Sequence, residues 1–110
     1  MKVMIAGSRG ISSFDLSKLI PQDTKLIICG GAIGIDNLAE EYADKHKISK
    51  LVLRHDYKKY GKAAPLRRNE IMVDISELVI VVWDGKSRGT KYTADYATRK
   101  GKALKVITIL

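Results

Sequence analysis

Leu78-Val79-Ile80-Val81-Val82-Trp83 is six apolar residues with no polar alternation. A strand that is apolar on both sides is buried on both faces, which marks a parallel sheet covered by helices. Four further apolar runs flank it: Val3–Ala6, Leu26–Cys29, Leu51–Leu53 and Val106–Leu110. Between the runs lie segments with helical spacing. Phe14–Ile20 is short and stops before Pro21. Leu38, Ala39, Tyr42, Ala43 and His46 form one stripe of a helix, with Asp36 at the expected N-cap position. Pro65 suits a first helical turn, followed by an apolar face of Ile71, Met72 and Ile75. Lys91–Lys100 ends at Gly101, a suitable C′ residue.

The order βαβαβαβαβ predicts an α/β fold over a single domain, residues 1–110. The expected form is a Rossmann-like three-layer α/β/α sandwich around a five-stranded parallel sheet. Strand order 3-2-1-4-5 is expected, because it sets the loops after strands one and four across the switch point where such sheets bind ligands.

The 110 residues include 20 Lys plus Arg against 12 Asp plus Glu, a net charge of +8. That balance favours an anionic partner. With 45% hydrophobic residues the chain has enough apolar surface for a core. One cysteine allows no internal disulfide, and no Cys/His cluster has zinc spacing, so no metal or cofactor is expected. No apolar run approaches the roughly 20 residues that span a bilayer, and Met1–Ala6 runs straight into a strand. A cytoplasmic protein without membrane association is therefore expected. Exposed helix faces on so small a sheet allow a homodimer.

Seven of the nine glycines fall in three strand-to-helix loops. These are Gly7-Ser8-Arg9-Gly10, Gly30-Gly31-Ala32-Ile33-Gly34-Ile35-Asp36 and Asp84-Gly85-Lys86-Ser87-Arg88-Gly89-Thr90. Loops without side chains let backbone N–H groups approach an anionic oxygen near a helix N-terminus; tight turns are the plainer explanation. Arg9 and Arg88 each offer a planar fork matched to phosphate. Arg68 and Asn69 lie in the first turn of the third helix, where Asn69 could bond a base or ribose. Asp84 stands at a loop mouth, suited to a ribose hydroxyl or to turn initiation. Asp36 reads as a cap. Cys29 reads as a small buried hydrophobe, and Tyr92 and Tyr96 as packing residues. The dinucleotide fingerprint G-x-G-x-x-G is missing after the first strand. A Walker A loop is excluded because Ile80 stands where its first glycine belongs.

The remaining loop, His55–Ala64, is longer than the usual few residues. With its flanks it reads RHDYKKYGKAAPLRR over Arg54–Arg68. Arg54, Lys58, Lys59, Lys62, Arg67 and Arg68 face one acid, Asp56, with Tyr57 and Tyr60 between them. Basic residues interleaved with aromatics suit a nucleic-acid strand, a lid over a charged ligand, or a solvated loop.

Taken together, these loops resemble the SLOG superfamily, which joins the lonely-guy phosphoribohydrolases and the bacterial DNA-processing protein A. The likeness is greatest to its small stand-alone members of the YspA and YpsA-related type. It rests on Ala6-Gly7-Ser8-Arg9, the Gly30–Asp36 loop, Pro65 with Arg68-Asn69, Ser87-Arg88-Gly89-Thr90, and Ala94 and Ala97. The resemblance implies a sheet edge that binds an anionic nucleotide or nucleotide-derived ligand. The implied ligand-binding set is Gly7, Ser8, Arg9, Gly30, Gly31, Ala32, Asp36, Arg68, Asn69, Asp84, Ser87, Arg88, Gly89 and Thr90. Two departures stand out. Thr93 occupies the position of the phosphoribohydrolases' catalytic glutamate, and Arg68-Asn69 follows Pro65 one residue later than in the DNA-processing proteins. Without that carboxylate the chain lacks the group that stabilises an oxocarbenium-like transition state. The expected function is nucleotide-ligand binding, as a binding or sensing module, with a nucleoside monophosphate hydrolase and a single-strand nucleic-acid binder as alternatives.

Overall fold

The computed structural model describes residues 1–54 and 57–109; the expectations placed on His55, Asp56 and Leu110 lie outside the described residues. Five strands are present: β1 (Lys2–Gly7), β2 (Leu26–Cys29), β3 (Ser49–Val52), β4 (Leu78–Trp83) and β5 (Ala103–Thr108). All pair in parallel, in the order β3-β2-β1-β4-β5. The helices are α1 (Ile35–Lys45), α2 (Tyr57–Tyr60), α3 (Ala64–Ile75) and α4 (Arg88–Arg99). This is a Rossmann-like α/β fold.

The uniform apolarity of β4 has a direct structural counterpart. Leu78, Ile80 and Val82 face one cluster with Val3, Ile5, Ile27 and the α1 residues Ile35, Ala39 and Ala43. Val79 and Val81 face the other, with Met4, Ile28, the α3 residues Met72 and Val73, and Ala97 of α4. The sheet thus lies between α1 on one side and α3 with α4 on the other. A strand in that position has no solvent face on which to place polar residues.

Several elements differ from expectation. The first helix is a single 3-10 turn, Leu16–Lys18, because Asp15 accepts the Ser17 N–H at 3.0 Å and caps the segment before Pro21 ends it. Helix α1 begins two residues early: Gly34 is its N-cap, and Asp36 lies inside the first turn. There a carboxylate still complements the positive end of the helix. The expected loop before Pro65 contains α2 and a 3-10 turn, Gly61–Ala63. Ser87 caps α4, which therefore starts at Arg88 and not at Lys91. Strands β3 and β5 start two and three residues earlier than their apolar runs. Both are edge strands, which leave polar side chains room to reach out: Lys50 pairs with Asp44 and Glu40, and Lys105 donates to the Leu19 carbonyl. Among the described residues, no helix is long and apolar enough to cross a membrane.

Candidate functional site at the carboxyl ends of the strands

Strand order reverses between β1 and β4, and a cleft of about 290 Å³ opens beside that switch point. Loop one contributes Gly7 and Arg9, loop two Ala32 and Asp36, and loop four Asp84, Ser87, Gly89 and Thr90. Arg68 and Asn69 enter from the first turns of α3. Ten of the expected ligand residues therefore line one cleft.

The other four lie elsewhere. Ser8 is almost completely buried; its N–H donates to Val82 O at 3.0 Å, and its Oγ accepts the Asp84 N–H at 3.0 Å. It joins loop one to loop four from behind the cleft wall. Arg88 is exposed on α4 and outside the cleft. Gly30 and Gly31 line an adjoining lobe.

A hydrogen-bonded relay crosses this edge. Arg68 Nη1 donates to Gly30 O at 2.9 Å, and Arg68 Nε donates to Asn69 Oδ1 at 3.2 Å. Asn69 Nδ2 donates to Thr93 Oγ1 at 2.8 Å, and Thr93 Oγ1 donates to Gly89 O at 3.0 Å. Loop two is thus tied to loop four through the side chains of α3. A Cβ on Gly30 would lie 2.5 Å from Arg68 Nη1, so this glycine makes room for the guanidinium. Thr93, fully buried, is the last side chain of this relay.

The N–H groups expected to await an anion are largely engaged within the protein. The Ala32 N–H donates to Asp36 Oδ2 at 3.1 Å. The Lys86 and Ser87 N–H groups both donate to Asp84 Oδ1 at 2.8 Å, and the Thr90 N–H to Ser87 Oγ at 3.4 Å. The two carboxylates of the cleft consequently differ. Burial pushes the Asp36 carboxyl above its ordinary value, against the opposing pull of the Ala32 and Gly30 N–H groups and the Arg68 charge. The Ser87 and Lys86 N–H groups hold Asp84 below its ordinary value.

Reading by motif missed part of the lining. Pro65, Leu66 and Met72 supply an apolar wall, and Thr93 closes it. Pro65 and Thr93 stand out in the sequence, whereas Leu66 carries no signal there and the helical stripe through Met72 reads equally as core. Cys29 is fully buried and its thiol is pushed up to about 12, chiefly by burial, which makes it unreactive. Tyr92 and Tyr96 donate to Glu70 and Asp74 across the α3–α4 seam, as packing residues do.

Lys58, Lys59 and Lys62 are exposed, and Arg67 pairs with Glu70 at 2.9 Å. Lys59 lies 5.3 Å from the Tyr60 ring centroid. The backbone of Tyr57 belongs to α2, but its side chain lies outside the described residues. Among the described residues, no cluster of His, Cys, Asp and Glu could hold a metal ion.

Comparison with protein-family models, with curated proteins and with solved structures finds no match to this chain.

Proposed function

We propose that the cleft binds the nucleoside part of a nucleotide-derived ligand, and that the protein is a binding or sensing module. The observation that carries this reading is the convergence of Asp84, Asn69 and Arg9 from three separate segments on one cleft at the switch point. Asp84 is held ionised and accepts hydroxyl hydrogens, as a ribose requires. Leu66 and Met72 offer an apolar wall to a base. The resemblance to SLOG proteins points the same way. The test is a thermal-shift screen of nucleosides, nucleotides and ribose phosphates. A ligand at 100 times its dissociation constant adds about 2.7 kcal/mol of stability. If none of these compounds shifts the melting temperature, the reading fails.

Asp36 favours a second reading, hydrolysis of a nucleoside monophosphate. A buried carboxyl raised above its ordinary value can act as a general acid, and this one lines the cleft. Release of free base from monophosphates, abolished by Asp36→Asn, would promote this reading to first place. Absence of release by the wild type would eliminate it.

A further inference from the structure

We propose, resting on the nucleotide reading, that the ligand carries a diphosphate whose outer phosphate sits in a second lobe beside the cleft, against Arg9 and Arg54. The lobe has a volume of about 470 Å³ and shares Arg9, Ala32 and Arg68 with the cleft, so the two are continuous. The cleft alone lies at the lower limit of ordinary ligand pockets, roughly 300–1,000 Å³. Together the two lobes accommodate a ligand longer than a nucleoside.

Their charges divide the ligand between them. In the cleft the carboxylates of Asp36 and Asp84 offset the two guanidiniums it shares with the lobe, Arg9 and Arg68, and offer acceptors to hydroxyls. The lobe holds three guanidiniums, from Arg9, Arg54 and Arg68, and no carboxylate among the described residues. Arg68 is strapped to Gly30 and Asn69, so it contributes charge from a fixed position. Arg9 and Arg54 have no hydrogen-bond or ion-pair partner among the described residues. Two forks without a partner among the described residues, lining one lobe with a fixed charge, match the oxygens of a terminal phosphate.

Local backbone chemistry builds the lobe. Gly31 has φ +74°, and a Cβ there would lie 2.8 Å from Val52 Cγ1 and 2.9 Å from Arg54 Nη1. A side chain at this position would fill the space beside the Arg54 guanidinium. Arg54 itself follows β3, an edge strand, which carries its side chain to the Gly31 side of the sheet edge.

The experiment is calorimetric titration of the full chain with the nucleoside, the 5′-monophosphate and the 5′-diphosphate of each common base, and with a short single-stranded oligonucleotide. The best diphosphate is expected to bind at least about tenfold tighter than its monophosphate, the scale of one charge-assisted contact. Arg54→Ala should erase most of that gain, with a loss that grows with phosphate number, and Arg54→Lys should restore it in part. Thermal melting of each variant checks that this exposed substitution leaves the fold intact. If monophosphates bind and diphosphates bind no tighter, the second phosphate site is overturned while the nucleotide reading stands. If the oligonucleotide binds tighter than every diphosphate and loses affinity in Arg54→Ala, the lobe belongs to a nucleic-acid strand and the proposal is likewise overturned. If no nucleoside or nucleotide binds, both proposals fall together.

Discussion

Arg68 Nη1 lies 2.9 Å from the carbonyl oxygen of Gly30, a residue 38 positions earlier, and closes the gap between α3 and the end of β2. The contact exists because position 30 has no side chain. In Gly30→Ala the new methyl would displace the tip of a flexible arginine and not the backbone. The expected stability loss is about 1 kcal/mol, the worth of one hydrogen bond. The loss of nucleotide-induced thermal shift should be disproportionately larger. Calorimetric melting with and without nucleotide measures both; a large loss of stability with an intact ligand shift would contradict the positioning role.

Asp36 should impose a pH dependence of opposite sign to that of a salt-bridged carboxylate. Its folded value is raised above the ordinary 3.8. Between 3.8 and that raised value the native state binds more protons than the unfolded chain, so stability falls as pH rises through this window. Asp36→Asn keeps an oxygen for the Ala32 N–H and removes the buried charge. It should melt higher than wild type at neutral pH, with the difference vanishing below the ordinary aspartate range. A constant difference across pH, measured in parallel melting series, would refute this.

Thr93→Val preserves shape and removes the hydroxyl between Asn69 and Gly89. A part-buried amide is left without its acceptor, and the expected loss is about 1–3 kcal/mol by denaturant titration. Thr93→Glu should be worse folded still, because the side chain at this position is fully enclosed and would bury a carboxylate. A Thr93→Glu protein as stable as wild type would show that the seam opens more readily than its packing implies.

For the nucleic-acid alternative, the exposed Lys58, Lys59 and Lys62 are the cations to test. Binding through them should weaken with salt at a log–log slope of about −0.7 per phosphate neutralised on a single strand. Fluorescence anisotropy across a salt series should show the slope falling when the three lysines are replaced by alanine. An unchanged slope would remove this face from consideration.

The sheet was legible in advance because burial on both faces forces the composition of β4, and the switch point follows from strand order. The convergence of loops one, two and four was legible for the same reason: parallel strands deliver their following loops to one edge. What escaped was any role set by distant partners. Ser8 has the look of a phosphate contact, yet its hydroxyl faces inward to the Asp84 N–H. Asp36 has the look of a cap, yet it reaches back to Ala32 from within the helix. Arg54 belongs to a basic run in the sequence, and only the pairing of β3 with β2 brings it beside Gly31. The starts of β3 and β5 escaped because edge strands tolerate Lys50 and Lys105, which apolar runs do not include.

The central place of β1 also bears on how the chain acquires its structure. One neighbour, β2, follows closely, but the other is β4, whose Leu78 pairs with Val3. The Glu77 carboxylate accepts the Lys2 N–H across 75 residues of chain. Closing such a long loop must precede the reward of pairing, which places this topology among the slower folders of its size. Until β4 arrives, the second edge of β1 is an open hydrogen-bonding surface. Substitutions that weaken the β1–β4 seam should therefore slow refolding, and should raise aggregation during synthesis before any loss of ligand binding is seen.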